Sequence, residues 1–430
     1  TLSNGERIQF DNRVNFIFET HSLEHASPAT VSRMAVILLS SKDLTIENAC
    51  SRWLSEFPKE SRITQLFEGL FYPTVYELID KPLIVKMTNL GVVQNVQSHL
   101  SKVTGDSDSQ FLNCLIRGTT SLLEPSMQQS FASDIYKRAI HMGLNLAGID
   151  PSQLLDQTFI NGSVKTFEFH PTPPTLPSIE SNRLFLVQTP EVQRTLATIR
   201  PWIEEGLPVM LVGPRGSGKS THLRHIFKSL PSTNIIEINC SAQTNADTLM
   251  AKLLQHCALI STAKGQVLRP RSTERTLVFF QNFDLPRPDK WGTTQIVAFM
   301  QQLLTHGGFY NESLQWVQIE RIQFVFAMST SERRPMSTRF TSVVRVCAIH
   351  ETTEDQLDAI YNHYIQTVLA KTPIEDKAAI VTSGMIRTYL TFRREFRSDV
   401  YPHYDFSLRD LSKWVIRLQR YTKDTASFNS

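Results

Sequence analysis

Residues 211–220 read LVGPRGSGKS, two glycines five positions apart followed at once by a lysine and a serine. Gly213, Gly216 and Gly218 let the backbone turn so that successive amides point inward at a phosphate. A helix starting there adds the partial positive charge of its N-terminus. Lys219 reaches the terminal phosphates, and the Ser220 hydroxyl is placed to ligate Mg²⁺. Pro214, Arg215, Ser217 and Thr221 complete the loop. The bland alternative is a glycine-rich turn with a surface lysine. An apolar run before the motif and a helical pattern after it favour a phosphate cradle, with ATP or ADP and Mg²⁺ as its cofactors.

Hydrolysis needs a second part. In P-loop ATPases the strand beside the cradle ends in an Asp that holds Mg²⁺, often followed by a Glu that activates water. The candidate strand is TLVFF, residues 276–280, and the two expected positions are Gln281 and Asn282. An amide oxygen accepts a bond from a metal-bound water but is no general base, and losing that base removes about 10²–10⁴ in rate. Asp284 lies two residues past the strand end, where a turn residue is expected. The pattern predicts nucleotide binding without brisk turnover.

These residues have to be positioned by a sheet. PVMLVG (208–213), NIIEINC (234–240), TLVFF (276–280), IQFVFAMS (322–329) and VVRVCAI (343–349) are short apolar runs separated by helical patterns such as TTQIVAFMQQLLTH (293–306). That alternation predicts an α/β fold, a parallel sheet covered by helices on both faces. Upstream, VNFIFET (14–20) and RMAVILLS (33–40) read as strands, MAVILLS (34–40) as a buried one. From about Asp43 to Ala147 the periodicity is helical. QTFINGSVKTFEF (157–169) reads as two strands around an Asn-Gly turn, and HPTPPTLPS (170–178) as a proline-stiffened linker. From Glu351 to the end the pattern is helical again. The order is partial α/β, helical, linker, complete α/β, helical: one and a half copies of a two-part module.

Composition narrows the class. Charged residues make up 20% of the 430 and the apolar set 41%, as in soluble globular proteins. A net charge of +3 is too small to argue for nucleic acid, and RPRSTER (269–275) reads as a solvated loop. No apolar run approaches a membrane span. Cys50, Cys114, Cys240, Cys257 and Cys347 are far apart and lack CxxC spacing, which predicts core thiols in a reducing, cytosolic compartment. The chain starts at Thr1 inside strand-like sequence and is read as a piece of a longer polypeptide.

The order of P-loop, degenerate acidic strand, FAMSTSERRPMSTRF (326–340) and helical tail resembles an AAA+ module, and the wording resembles the motor of a dynein heavy chain. ASPATVSR (26–33) is similar to the end of dynein's second module. VQTPEVQRTL (187–196), the P-loop, DLPRPDKWGT (284–293), STRFTSVVRV (337–346) and YDFSLRDLSKWV (404–415) are similar to its third. NCSAQT (239–244) and NGERIQF (4–10) most resemble the cytoplasmic dynein of intraflagellar transport.

The resemblance implies an organisation and a set of roles. Residues 1–42 would end the second large subdomain and 43–150 form its helical lid. Residues 151–180 would be a strand pair and linker, 181–350 the third large subdomain and 351–430 its lid. Arg33 would be the arginine finger facing the first module's nucleotide, and Arg339 the corresponding finger facing the second's. Arg409 would be the lid sensor on the third module's own γ-phosphate. Val187 and Thr189 would pack against adenine, and Ser329 would occupy the first-sensor position, where a longer polar residue is usual. Implied partners are microtubules, contacted outside this chain, intermediate and light chains, and neighbouring modules, with no nucleic acid and no membrane insertion. The implied location is cytoplasm, cytoskeleton and ciliary axoneme. The whole heavy chain would be an ATP-driven, minus-end-directed motor whose third site regulates the ring. A purely structural nucleotide, or a non-motor AAA+ remodelling ATPase, is the alternative.

Overall fold

The computed structural model describes residues 9, 11, 13–20, 22–24, 26–40 and 45 of the first 45. It then describes 46–428 apart from 59–60, 102, 104–106, 161, 170–185, 264, 291, 331–335, 371, 373, 397–403 and 405; side chains are described as far as 419. The proline-rich linker and most of NGERIQF therefore lie outside the described residues. The chain divides into two compact units, Thr1–Thr45 and Ile46–Ser430.

In the first unit the sequence reading needs correcting. Its one described element is the short helix α1 (Pro28–Val31), capped by Ser27, whose hydroxyl accepts from the Thr30 amide. Residues 14–20 and 35–40 are in no strand. Instead of being buried, Ile37, Leu38 and Leu39 are 83%, 86% and 85% exposed. A run of this kind becomes a strand only through a ladder with neighbours, and none of the described strands pairs with it.

The second unit begins as a helical bundle. It comprises α2 (Ile46–Leu54), α3 (Arg62–Leu66), α4 (Tyr72–Ile79), α5 (Asn89–Gln97), α6 (Asp108–Thr120) and α7 (Pro125–His141). Between α3 and α4 the chain takes one wide π turn, Phe67–Phe71. Pro73, which has no amide to donate, follows at the start of α4. Phe67 and Phe71 stack at 4.3 Å in the bundle core, with Phe111 edge-on to Phe67. The Asn-Gly hairpin forms as read, β1 (Gln157–Ile160) antiparallel to β2 (Ser163–Thr166), with Gly162 at φ +80°.

The parallel sheet follows. Its strands are β3 (Val209–Gly213), β4 (Thr233–Asn239), β7 (Arg275–Gln281), β10 (Ile322–Ser329) and β11 (Arg345–Ala348), in the order β11-β3-β10-β7-β4. Alternate residues serve opposite faces. Val209, Leu211, Leu277, Phe279 and Val325 pack with α8 (Pro190–Glu204) and α9 (Lys219–Phe227). Met210, Val212, Val278, Phe280, Phe324 and Phe326 pack with α10 (Ala246–His256) and α11 (Gln295–His306). A sheet covered on both faces explains the near-continuous apolar runs.

A second sheet was not legible in the sequence. Strands β5 (Cys257–Thr262), β6 (Gly265–Pro270), β8 (Gly308–Tyr310) and β9 (Trp316–Ile319) are ordered β5-β6-β9-β8. Part of the supposed loop RPRSTER is thus the end of β6. After α12 (Thr338–Val343) and β11, the chain ends in α13 (Glu354–Leu369), α14 (Ala378–Glu395) and α15 (Leu408–Phe428). These three gather Leu357, Tyr361, Ile365, Ile386, Leu411 and Val415 into a core of their own, which Val187 joins.

Candidate nucleotide site

The cradle forms where β3 turns into α9. Gly216 and Gly218 sit at φ +83° and +80°, a left-handed backbone open mainly to glycine, and Gly218 is the N-cap of α9. His222 is buried, and its Nδ1 lies 2.8 Å from the Gly218 carbonyl. That oxygen can only accept, so the ring donates from Nδ1 and fixes the turn. At Gly213 an added Cβ would run into the Ile349 carbonyl oxygen, just past β11, so there is no room for a side chain.

Lys219 folds back onto its own loop, donating to the carbonyls of Gly213 (2.8 Å) and Pro214 (2.6 Å). Burial pushes its pKa down to about 8; the carboxylate of Asp284 opposes this, while Arg409 and Arg215 reinforce it. Three cations around a glycine-rich loop at a helix N-terminus favour a polyanion, so the residues present fit a phosphate chain.

Among the residues read from the sequence, the structure brings Lys219, Ser220, Gln281, Ser329, Arg215 and Arg409 to one end of the sheet. Gln281 ends β7, and its Oε1 accepts from Ser220 Oγ at 3.4 Å. Ser329 ends β10, in register with Gly213. Its backbone amide, and no side chain, engages Asp284, donating to Oδ1 at 3.1 Å. Asp284 lies in the turn after β7, and its carboxylate reaches back to the end of β10. Asn282 has φ +54°, a conformation that Asn tolerates better than most side chains. The bend after β7 supplies its own reason for an amide there.

The remaining candidates differ. Arg409 is exposed on the first turn of α15, whose start lies over the cradle: a Cβ on Gly216 would meet Leu408 N at 3.1 Å and Ser407 Cβ at 3.2 Å. Val187 is buried among the C-terminal helices. Thr189 is buried and caps α8, accepting from the Val192 amide. Arg339 is exposed on α12, following a segment outside the described residues. Arg33 belongs to the first unit, where it donates to the Ala29 carbonyl at 3.0 Å. Among the described residues no group of three or more His, Cys, Asp and Glu is arranged to hold a metal. The five cysteines are free, with burial pushing several thiols upward, Cys240 and Cys347 to about 12.

Sequence reasoning missed Glu237 and Arg224. Glu237, on β4, receives Arg224 of α9 through two bonds of 2.9 and 2.7 Å, and Gln281 Nε2 at 2.9 Å. The available signal was one acid in the apolar run NIIEINC, which is exposed on what proves to be the edge strand of the sheet.

A five-stranded parallel sheet with a glycine-rich phosphate cradle at its carboxyl edge, followed by a helical subdomain leaning over that cradle, defines an α/β P-loop module of the AAA+ class. Family comparison agrees. A model described as the P-loop containing dynein motor region matches residues 175–352, and one of the dynein heavy chain ATPase lid domain matches 364–430. A third, of the AAA+ ATPase domain of cytoplasmic dynein 2 heavy chain 1, matches 45–139. The chain belongs to the dynein heavy chain family.

Among its relatives, cytoplasmic dynein 2 heavy chain 1 of Tripneustes gratilla is 39% identical over 440 residues, 98% of this chain and 10% of the relative. The protein of that name in Chlamydomonas reinhardtii is 34% identical over 434 residues, again 98% and 10%. A cytoplasmic dynein heavy chain of Fusarium vanettenii is 28% identical over 477 residues, 96% and 11%. The chain thus spans about a tenth of the length of these relatives. No helix among the described residues is long and apolar enough to cross a membrane.

Proposed function

We propose that this chain is the second-to-third module region of a dynein heavy chain that works as an ATP-driven, minus-end-directed microtubule motor in retrograde intraflagellar transport. Residues 1–42 close the second large subdomain and 43–150 form its lid. Residues 151–180 link to the third large subdomain, 181–350, whose lid is 351–430. The third site binds ATP or ADP with Mg²⁺, hydrolyses slowly and gates the ring. The whole heavy chain works with intermediate and light chains in cytoplasm and cilium, on microtubules touched by segments outside this chain. The greater likeness to the dynein 2 relatives than to the general cytoplasmic one supports the subtype.

The observation that carries the gating reading is the pairing of an intact cradle with an amide at the strand end: Ser220 faces Gln281, where an acid would be needed. Lys219 neutralises and orients the phosphates, and Ser220 holds the metal when it is bound. Arg409 approaches the γ-phosphate from α15, while Arg339 and Arg33 act on the sites of other modules. Val187 and Thr189 border the base, and Ser329 lies beside the place of the attacking water. With no carboxylate at residues 281 or 282 to take the water's proton, turnover falls by about 10²–10⁴ relative to a complete site.

In the whole motor, Lys219→Ala is expected to change gliding velocity and microtubule-stimulated ATPase while the other sites stay loaded. Unchanged velocity with nucleotide lost from this site would leave a structural nucleotide as the better account. Exchange separates the two as well: replacement of bound nucleotide by labelled ATP within minutes supports gating, and retention through dialysis opposes it.

A further inference from the structure

Four side chains beside the cradle form a hydrogen-bonded chain. Ser220 and Arg224 stand one turn apart on the same face of α9. Glu237 on β4 and Gln281 on β7 lie on neighbouring parallel strands, with Glu237 opposite Phe279 and Asn239 opposite Gln281. The two side chains are thus diagonal neighbours on the sheet face that α9 covers. Arg224 clamps Glu237 through Nε and Nη2. Glu237 Oε2 accepts from Gln281 Nε2, and Gln281 Oε1 accepts from Ser220 Oγ.

The two ends of an amide are nearly isosteric but chemically opposite, so something must decide which faces Ser220. A carboxylate decides it. With Glu237 fixed by Arg224, the reversed amide would set the Gln281 oxygen against a carboxylate oxygen. The orientation seen sends the NH₂ group to Glu237 and leaves the carbonyl oxygen on the Ser220 side. An acid at 281 would meet Glu237 as a like charge, so the amide and the displaced acid fit as a pair.

We propose that Glu237 is a positioning residue for metal at this site: acting through Gln281, it keeps an acceptor oxygen facing Ser220. The magnesium nucleotide is then retained without a carboxylate at residue 281 or 282. This rests on the reading of the cradle as a nucleotide site and deepens it by naming how a neutral strand end still favours the metal-bound form.

The test titrates a fluorescent ATP analogue into the 430-residue chain, once with Mg²⁺ and once with EDTA, and takes the ratio of the two dissociation constants. Residues supporting metal ligands from behind typically matter by about 10–100-fold. Glu237→Ala is therefore expected to shrink the Mg²⁺ advantage about tenfold, leaving the EDTA constant within about twofold of the parent. Gln281→Leu should shrink it equally, and the double variant no further. The proposal is overturned if Glu237→Ala keeps the full ratio, if both dissociation constants rise together, or if the two single effects add. Should Glu237→Ala not fold, Gln281→Leu with an undiminished ratio overturns it equally. In EDTA the parent and Lys219→Ala report on the cradle alone; if they do not differ, the nucleotide reading itself fails, whatever the ratios.

Discussion

The α/β part of this chain is held by two helical regions in different ways. The bundle before it is fused to the sheet edge. Asn95 of α5, fully buried, acts as one more ladder residue: its Oδ1 accepts from Val346 N at 2.7 Å and its Nδ2 donates to Val346 O at 3.3 Å. Ala348 N donates to Ser121 O, Thr341 Oγ1 to Lys86 O and Trp202 Nε1 to Ser98 Oγ. Bundle and sheet residues also share one continuous apolar cluster. The three helices after the sheet keep a separate core, joined from the α/β side by Val187, and rest on the cradle through Ser407, Leu408 and the charge of Arg409. The first contact makes one body of two pieces. The second leaves a seam directly over the cradle.

Five measurements would break or sharpen this contrast. Asn95→Ala orphans the Val346 amide and carbonyl in the interior; at about 1–3 kcal/mol for each group, it should give the largest stability loss, read by urea unfolding. An equal loss from Val187→Ala would erase the distinction between the two contacts. On the other side, Lys219→Ala should weaken ATP binding by about a hundredfold, as expected for a buried charged hydrogen-bonding partner, with little change in melting. Because the free lysine titrates at about 8 and phosphate favours its charged form, affinity should be full below that pH and weaken as pH rises above it.

Acid should attack the fused contact. Burial, with Arg117 and Arg345 nearby, lowers His99 to about 3, and burial lowers His350 to about 4, both from an ordinary 6.5. The unfolded chain then binds more protons than the folded one between those values and 6.5, so stability should drop as pH falls through that window. His99→Phe should flatten part of the slope; an unchanged slope would remove His99 from the account. The smallest effect is expected for Gly216→Ala. The left-handed backbone costs roughly 1 kcal/mol with a side chain, and the Cβ would press on Ser407. Nucleotide affinity should suffer more than the melting temperature.

The sheet and cradle were legible because their signals are local: five apolar runs at helix-separated spacing, and a loop whose glycines sit where φ is positive. The second sheet was not, because β5 follows α10 without a break and its outer residues Leu259 and Ile260 are exposed, so neither period nor burial marked it. Gln281 was found from its place at a strand end. Glu237 and Arg224 required knowing which strands are neighbours, information that lies in the pairing of β4 with β7 and in no local spacing. The misread strand at 34–40 had the right composition, but its structure depends on partners that composition does not reveal.

That last segment has a practical side. Ala35 to Leu39 is an uncharged, proline-free stretch with its side chains in water, the kind of sequence from which intermolecular β-stacks grow. Handled alone at high concentration, the chain should scatter light progressively and form thioflavin-positive precipitate. A single Leu38→Lys exchange should keep it clear.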